Sequence, residues 1–129
     1  MIGYITLGTN DVARATSFYD GLLATVGASR LMPMPKGGHV WGRGWDQPML
    51  AVTVPYDDQP ATPGNGTMVA LQAGSRAEVD AIHAAAIALG APCEGPPGLR
   101  GPDGDSAFYG AYFRDPDGNK LCAFRMGPA

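Results

Sequence analysis

The sequence predicts an α+β fold made of two successive βαβββ runs. Three observations lead there: two segments with apolar residues at helical spacing, short strand-like apolar segments flanking each, and an offset of about 64 residues at which the pattern repeats. Tyr4 then aligns with Met68, and Gly27 falls close to Gly90, as an internal duplication would require. The half-repeats cover about residues 1–58 and 65–127 of a single domain spanning 1–129.

The first strand is expected over Ile2–Leu7. Gly8-Thr9-Asn10-Asp11 follows as a turn whose Asx side chains can cap a helix starting near Val12. Val12, Ala15, Phe18 or Tyr19, Leu22, Leu23 and Val26 form its apolar stripe, and Gly27 supplies the left-handed residue that ends it. Ser29–Met34, His39–Arg43 and Met49–Val54 read as three short strands. In the second half Thr67–Ala73 reads as a strand. Ser75-Arg76-Ala77-Glu78 has capping-box spacing, and Val79, Ile82, Ala86 and Leu89 mark a helix that stops at Gly90. Ala91–Glu94, Phe108–Arg114 and Leu121–Met126 complete the run, the last two joined through Asp115-Pro116-Asp117-Gly118-Asn119, which carries tight-turn chemistry. Glycine and proline concentrate in Pro33–Gly38, Pro55–Gly66 and Gly95–Gly104, which are expected to be the loops.

Composition narrows the function classes. Hydrophobic residues make up 45% and charged residues 16%, enough to build a core. A net charge of −3 with no basic run disfavours nucleic acid as a partner. No apolar run approaches the ~20 residues needed to cross a bilayer, and the first residues show no basic segment followed by an apolar one, so the expectation is a soluble cytoplasmic protein without a membrane partner. Two cysteines, Cys93 and Cys122, match no zinc-binding or CxxC spacing.

The element order and three strings together resemble the vicinal oxygen chelate superfamily, which includes glyoxalases, bleomycin-resistance proteins and extradiol dioxygenases. The strings are Ile2–Gly8 with Asp11 and Ser17-Phe18-Tyr19-Asp20, then Gly66–Leu71, then Tyr112–Leu121 around Asp115-Pro116-Asp117-Gly118-Asn119. The resemblance implies paired βαβββ modules forming a cupped, partly closed sheet with helices outside, the two cups facing each other around a pocket. It also implies metal ligands on the first and last strand of each half. At those positions this sequence carries Tyr4, Ala51, Met68 and Cys122. Divalent ions of the hard or borderline class take imidazole and carboxylate donors, so this set is expected to hold no metal, and no cofactor is expected.

Other residues carry open alternatives. His39 opens a strand whose alternate residues would point into the cup, as ligand contact or acid/base group, whereas His83 sits inside the second helix. Trp41 and Trp45 form either an aromatic wall or ordinary packing. Either Phe108, Gly110 and Tyr112 or Tyr109, Ala111 and Phe113 line the cavity, and the other set packs under the helices. Cys122 is a nucleophile or inert packing. The Gly95–Asp105 segment is expected to act as a flap over the pocket.

The expected site is therefore Tyr4, His39, Trp41, Met68, Phe108, Tyr109 and Cys122, facing one cavity that binds a small organic molecule. Alternatives are a lyase, isomerase or dioxygenase with an atypical site, and a degenerate subunit that pairs with an active partner. Open sheet edges lead to the expectation of a homodimer.

Overall fold

The computed structural model describes residues 1–129. Its elements are β1 (Tyr4–Gly8), α1 (Val12–Ala24), β2 (Ser29–Pro33), β3 (Gly38–Gly42), β4 (Met49–Thr53), β5 (Val69–Gln72), α2 (Arg76–Ala88), β6 (Cys93–Leu99), β7 (Phe108–Arg114) and β8 (Lys120–Met126). The expected α+β architecture is present as two four-stranded mixed sheets, not closed into one, ordered β1-β4-β3-β2 and β5-β8-β7-β6. In each the first strand lies parallel to the last, while the remaining pairs are antiparallel.

Both helices start and stop where side-chain chemistry dictates. The Asp11 carboxylate accepts from the Arg14 amide at 3.0 Å, satisfying one of the donors that a helix start leaves unpaired. Ser75 does the same for the Glu78 amide at 3.1 Å. Glu78 does not complete the reciprocal box on Ser75; it accepts from the Gly74 amide instead, at 2.6 Å. Gly27 and Gly90, at φ +74° and +93°, turn the chain out of the two helices.

Each sheet carries its helix on one face, and across the halves the regular elements that touch are α1 and α2. Ala15, Phe18, Tyr19, Leu22 and Leu23 of α1 thus join Val79, Ile82 and Ala86 of α2 in one core, together with Leu7, Trp41, Leu50, Val52, Ala111, Phe113, Leu121 and Ala123 from the sheets. Burying one Leu, Ile or Phe side chain contributes about 1.5–3 kcal/mol, so this shared layer dominates the stability. The opposite face of each sheet is its open face.

A polar clasp supplements the core. Asp117 accepts from the Thr9 hydroxyl at 2.6 Å and the Asn10 amide at 2.8 Å, Asn119 donates to the Gly8 carbonyl at 3.1 Å, and the Tyr19 hydroxyl donates to Asp115 at 2.6 Å. The β7–β8 turn of the second half therefore grips the β1–α1 turn of the first. Asp115 and Asn119 are buried, and the cost of that burial is offset in part by the bond between them, at 2.8 Å.

One expectation about the loops is corrected. Residues 93–99 form a strand, so the first five residues of the Gly95–Asp105 segment are not a free flap. Its two prolines lack an N–H, which an edge strand tolerates, and the pairing with β7 is broken by two register shifts.

Candidate functional site

Strand alternation sorts the seven expected site residues onto different faces. Tyr4 is 65% exposed on the open face of the first sheet, beside Met49 of β4. Met68, 44% exposed, precedes β5. Cys122 is fully buried on β8, paired with Ala70 and Tyr112. Phe108 stacks on Phe124, with centroids 5.5 Å apart and planes 3° from parallel, on the open face of the second sheet.

The other three point the opposite way. Trp41 is 1% exposed beneath α1, its indole N–H donating to Asp20 at 2.9 Å and its ring 5.7 Å from Tyr19. His39 lies on the same face, 5.6 Å from the Trp41 ring. Tyr109 donates to Asp80 of α2 at 2.7 Å. The expectation that His39 and Trp41 face the cup is therefore corrected: Trp41 pairs with Leu50, a core residue, which leaves Gly38, Val40 and Gly42 for the open face. Gly38 is obligatory there, since at φ +89° an added Cβ would sit 1.9 Å from the Val52 carbonyl oxygen. The choice on β7 also closes, because Ala111 and Phe113 share the core with α2 while Phe108, Gly110 and Tyr112 take the open face.

The residues at the family's metal positions do not fit a divalent ion. Ala51 offers no donor, and no three His, Cys, Asp or Glu side chains lie close enough together to hold one. Burial pushes the Cys122 thiol up, against the opposing pull of the Tyr112 hydroxyl and the Ala111 backbone, and one soft sulfur does not make up for the missing imidazole and carboxylate donors. The two histidines are apart from this set: His83 lies 3.3 Å from the exposed Cys93, and His39 is near Asp20.

A cavity of about 620 Å³ opens at the end of the first sheet, where β1 and β4 finish, walled by Thr6, Gly8, Met34, Lys36, Thr53 and the Pro55–Thr62 loop. None of the seven expected residues lines it. The loop above it is pinned: Asn10 donates to the Ala61 carbonyl at 3.0 Å and accepts from its amide at 2.7 Å. Lys36 donates to the Tyr56 carbonyl and pairs with Asp58, both at 2.6 Å, while also lying over the Tyr56 ring. Pro55–Thr62, not Gly95–Asp105, is thus the segment that overhangs a hollow. Its mixture of methyl groups, prolines and a few hydroxyl, amide and ammonium groups suits an organic molecule of modest polarity. A smaller hollow of about 280 Å³ runs along Leu23, Val26, Trp41, Leu50, Val69 and Leu71, a seam between α1, the first sheet and β5.

Comparison with known proteins adds the following. Residues 1–123 match the family model described as the Glyoxalase/Bleomycin resistance protein/Dioxygenase superfamily. The crystal structure of a glyoxalase/bleomycin resistance protein from Albidiferax ferrireducens is similar at 37% identity, with 98% of this chain and 99% of that one covered and a TM-score of 0.85. A glyoxalase/bleomycin resistance protein/dioxygenase family enzyme from Burkholderia phytofirmans shares the fold at 17% identity, with 96% and 97% covered and a TM-score of 0.73. A lactoylglutathione lyase from Agrobacterium tumefaciens shares it at 24% identity, with 97% and 92% covered and a TM-score of 0.67. No curated protein matches the chain.

Proposed function

Since the chain belongs to the glyoxalase/bleomycin resistance protein/dioxygenase superfamily, we propose that it binds a small organic molecule without a resident divalent metal. The observation that carries this reading is the cavity of about 620 Å³ beneath the pinned Pro55–Thr62 loop, within the 300–1,000 Å³ range typical of ligand pockets. The donor-poor set Tyr4, Ala51, Met68 and Cys122 supports the metal-free part. Binding is reversible and needs no acid, base or nucleophile at the cavity wall.

The test is a screen of uncharged ring compounds by ligand-observed NMR, repeated on Thr6→Trp. Thr6 is exposed on β1, where an aromatic residue suits a strand, so the variant should fold and fill the cavity. A compound present at about 100 times its Kd should stabilise the wild-type chain by about 2.7 kcal/mol, and Thr6→Trp should lose this. Hits that bind both proteins equally would remove the cavity from consideration. Elemental analysis after equilibration with Mg, Mn, Fe, Ni and Zn salts should find less than one equivalent of each. A full equivalent, or turnover that depends on an added metal, would move the reading to a lyase or dioxygenase. The proposed protein is a homodimer, because β1, β2, β5 and β6 are sheet edges. Light scattering should return twice the chain mass of 13.4 kDa.

A further inference from the structure

Five of the nine lysines and arginines, namely Arg14, Arg30, Lys36, Arg76 and Arg114, sit within ion-pair distance of a carboxylate. Arg100 and Lys120 do not, although the chain has an excess of acidic residues. Both converge on one aromatic ring of the second sheet's open face: Arg100 Cζ and Lys120 Nζ each lie 5.4 Å from the centroid of Tyr112. Lys120 also reaches toward Glu94, but Glu94 is committed to Arg114 at 2.7 Å. Neither cation is within ion-pair distance of a carboxylate, so both are available to a bound anion.

The backbone is shaped to keep Arg100 there. Its guanidinium folds back along β6 and donates to the carbonyls of Pro96 at 2.6 Å, Gly98 at 3.0 Å and Leu99 at 3.5 Å. Carbonyls orient the group without neutralising it, and of its five N–H donors the Nε–H and one other remain for a ligand. Gly95 and Gly98 form the bed. A Cβ on Gly95 would stand 3.2 Å from Arg100 Nη2 and 3.1 Å from Tyr112 Cδ2, and one on Gly98 would stand 3.2 Å from Nη1. The Gly-Pro-Pro-Gly strand is thus the cradle of a guanidinium.

An apolar platform adjoins the two cations. Phe124, stacked on Phe108, lies two residues along β8 from Cys122, which pairs with Tyr112. Two residues of strand span about 7 Å.

We propose that this open face is a second binding site, separate from the cavity under the Pro55–Thr62 loop, for a small organic carboxylate: the carboxylate between Arg100 and Lys120, and an apolar or aromatic body on the Phe108–Phe124 pair. Arginine's planar fork matches a carboxylate, and the spacing of about 7 Å selects a body held two methylenes beyond the acid group.

The test uses the full chain and 3-phenylpropanoate, with 3-phenylpropanamide, acetate and sulfate as comparators, followed by calorimetry and by aromatic NMR shifts of Tyr112, Phe108 and Phe124. Saturable binding is expected, with the amide, acetate and sulfate each at least about tenfold weaker. Arg100→Gln, Lys120→Gln and Gly95→Ala should each weaken binding several-fold, while Thr6→Trp leaves it unchanged. Gly95→Ala matters most, since it adds only a methyl group, which presses on the Tyr112 ring and on the guanidinium without removing either. Equal binding of acid and amide, or an unaltered Kd in the Arg100→Gln/Lys120→Gln double variant, would overturn the site. Sulfate or acetate binding as tightly as 3-phenylpropanoate would overturn the assigned ligand class.

Discussion

Removing the Asp117 side chain should loosen the joint between the two halves. That side chain is 2% exposed and accepts two hydrogen bonds from the first half, from Thr9 at 2.6 Å and from the Asn10 amide at 2.8 Å. Hydrogen bonds to a charged group contribute about 1.5–3 kcal/mol each. Water entering the space left by Asp117→Ala restores part of this, so the net loss should be about 2–4 kcal/mol. At about 2.1 cal/mol/K of unfolding entropy per residue, 1 kcal/mol moves the Tm of a chain this long by about 3–4 °C, which gives a fall of about 7–14 °C. Asp117→Asn should fall by roughly half as much, because its carbonyl still accepts from Asn10 and its amide can donate to Thr9. Arg14→Gln is the control: Arg14 is 52% exposed and 3.5 Å from Asp117, an arrangement worth about 0–1 kcal/mol. Thermal unfolding followed by circular dichroism measures all three. A change below about 2 °C in Asp117→Ala would refute the clasp as a stabilising joint.

Four further outcomes follow from the packing and the ion pairs. A native-state thiol assay should label Cys93, which is exposed, and spare Cys122, which is fully buried with its thiol pushed up; two fast equivalents would contradict this placement. Trp41→Ala should cost about 3–5 kcal/mol by emptying the space under α1, so its urea midpoint should drop well below that of His39→Ala. Burial holds the His83 imidazole below its usual 6.5, so the fold favours its neutral form. The stability tied to the neutral form is full above 6.5 and should be lost as pH falls below it, and His83→Gln should flatten that stretch of the pH profile. Below about pH 4 a second loss should begin, since Arg30 holds Asp20, Arg114 holds Glu94 and Arg76 holds Asp103 below the carboxylate range.

The helices and the order of elements along the chain were legible because periodicity and caps speak locally: Asp11, Ser75, Gly27 and Gly90 sit where the helices begin and end. The phase of β3 was not. Both alternate sets there contain apolar residues, and the deciding facts, Trp41 opposite Leu50 and Gly38 against Val52, lie in another strand. Gly-Pro-Pro-Gly in β6 reads as loop, and only its pairing with β7 makes it a strand. The cavity escaped a reading built on expected ligand positions, because its walls join Thr6, Lys36 and Thr53 to a proline-rich loop fixed by Asn10. Within that loop the density of prolines was visible, but what it covers was not.

The clasp and the shared helix layer also bear on chain continuity. Residues 63–66 of the link between halves are exposed, and the attachments that pin the link lie before them, at Lys36–Asp58 and Asn10–Ala61. A break there would cut no strand, helix or core residue. Two fragments meeting at Gly64 should therefore recombine into the native assembly when mixed, with an affinity set by the helix interface and the Asp117 grip. The same opening could receive an inserted domain, or new termini in a circularly permuted chain, without disturbing either open face.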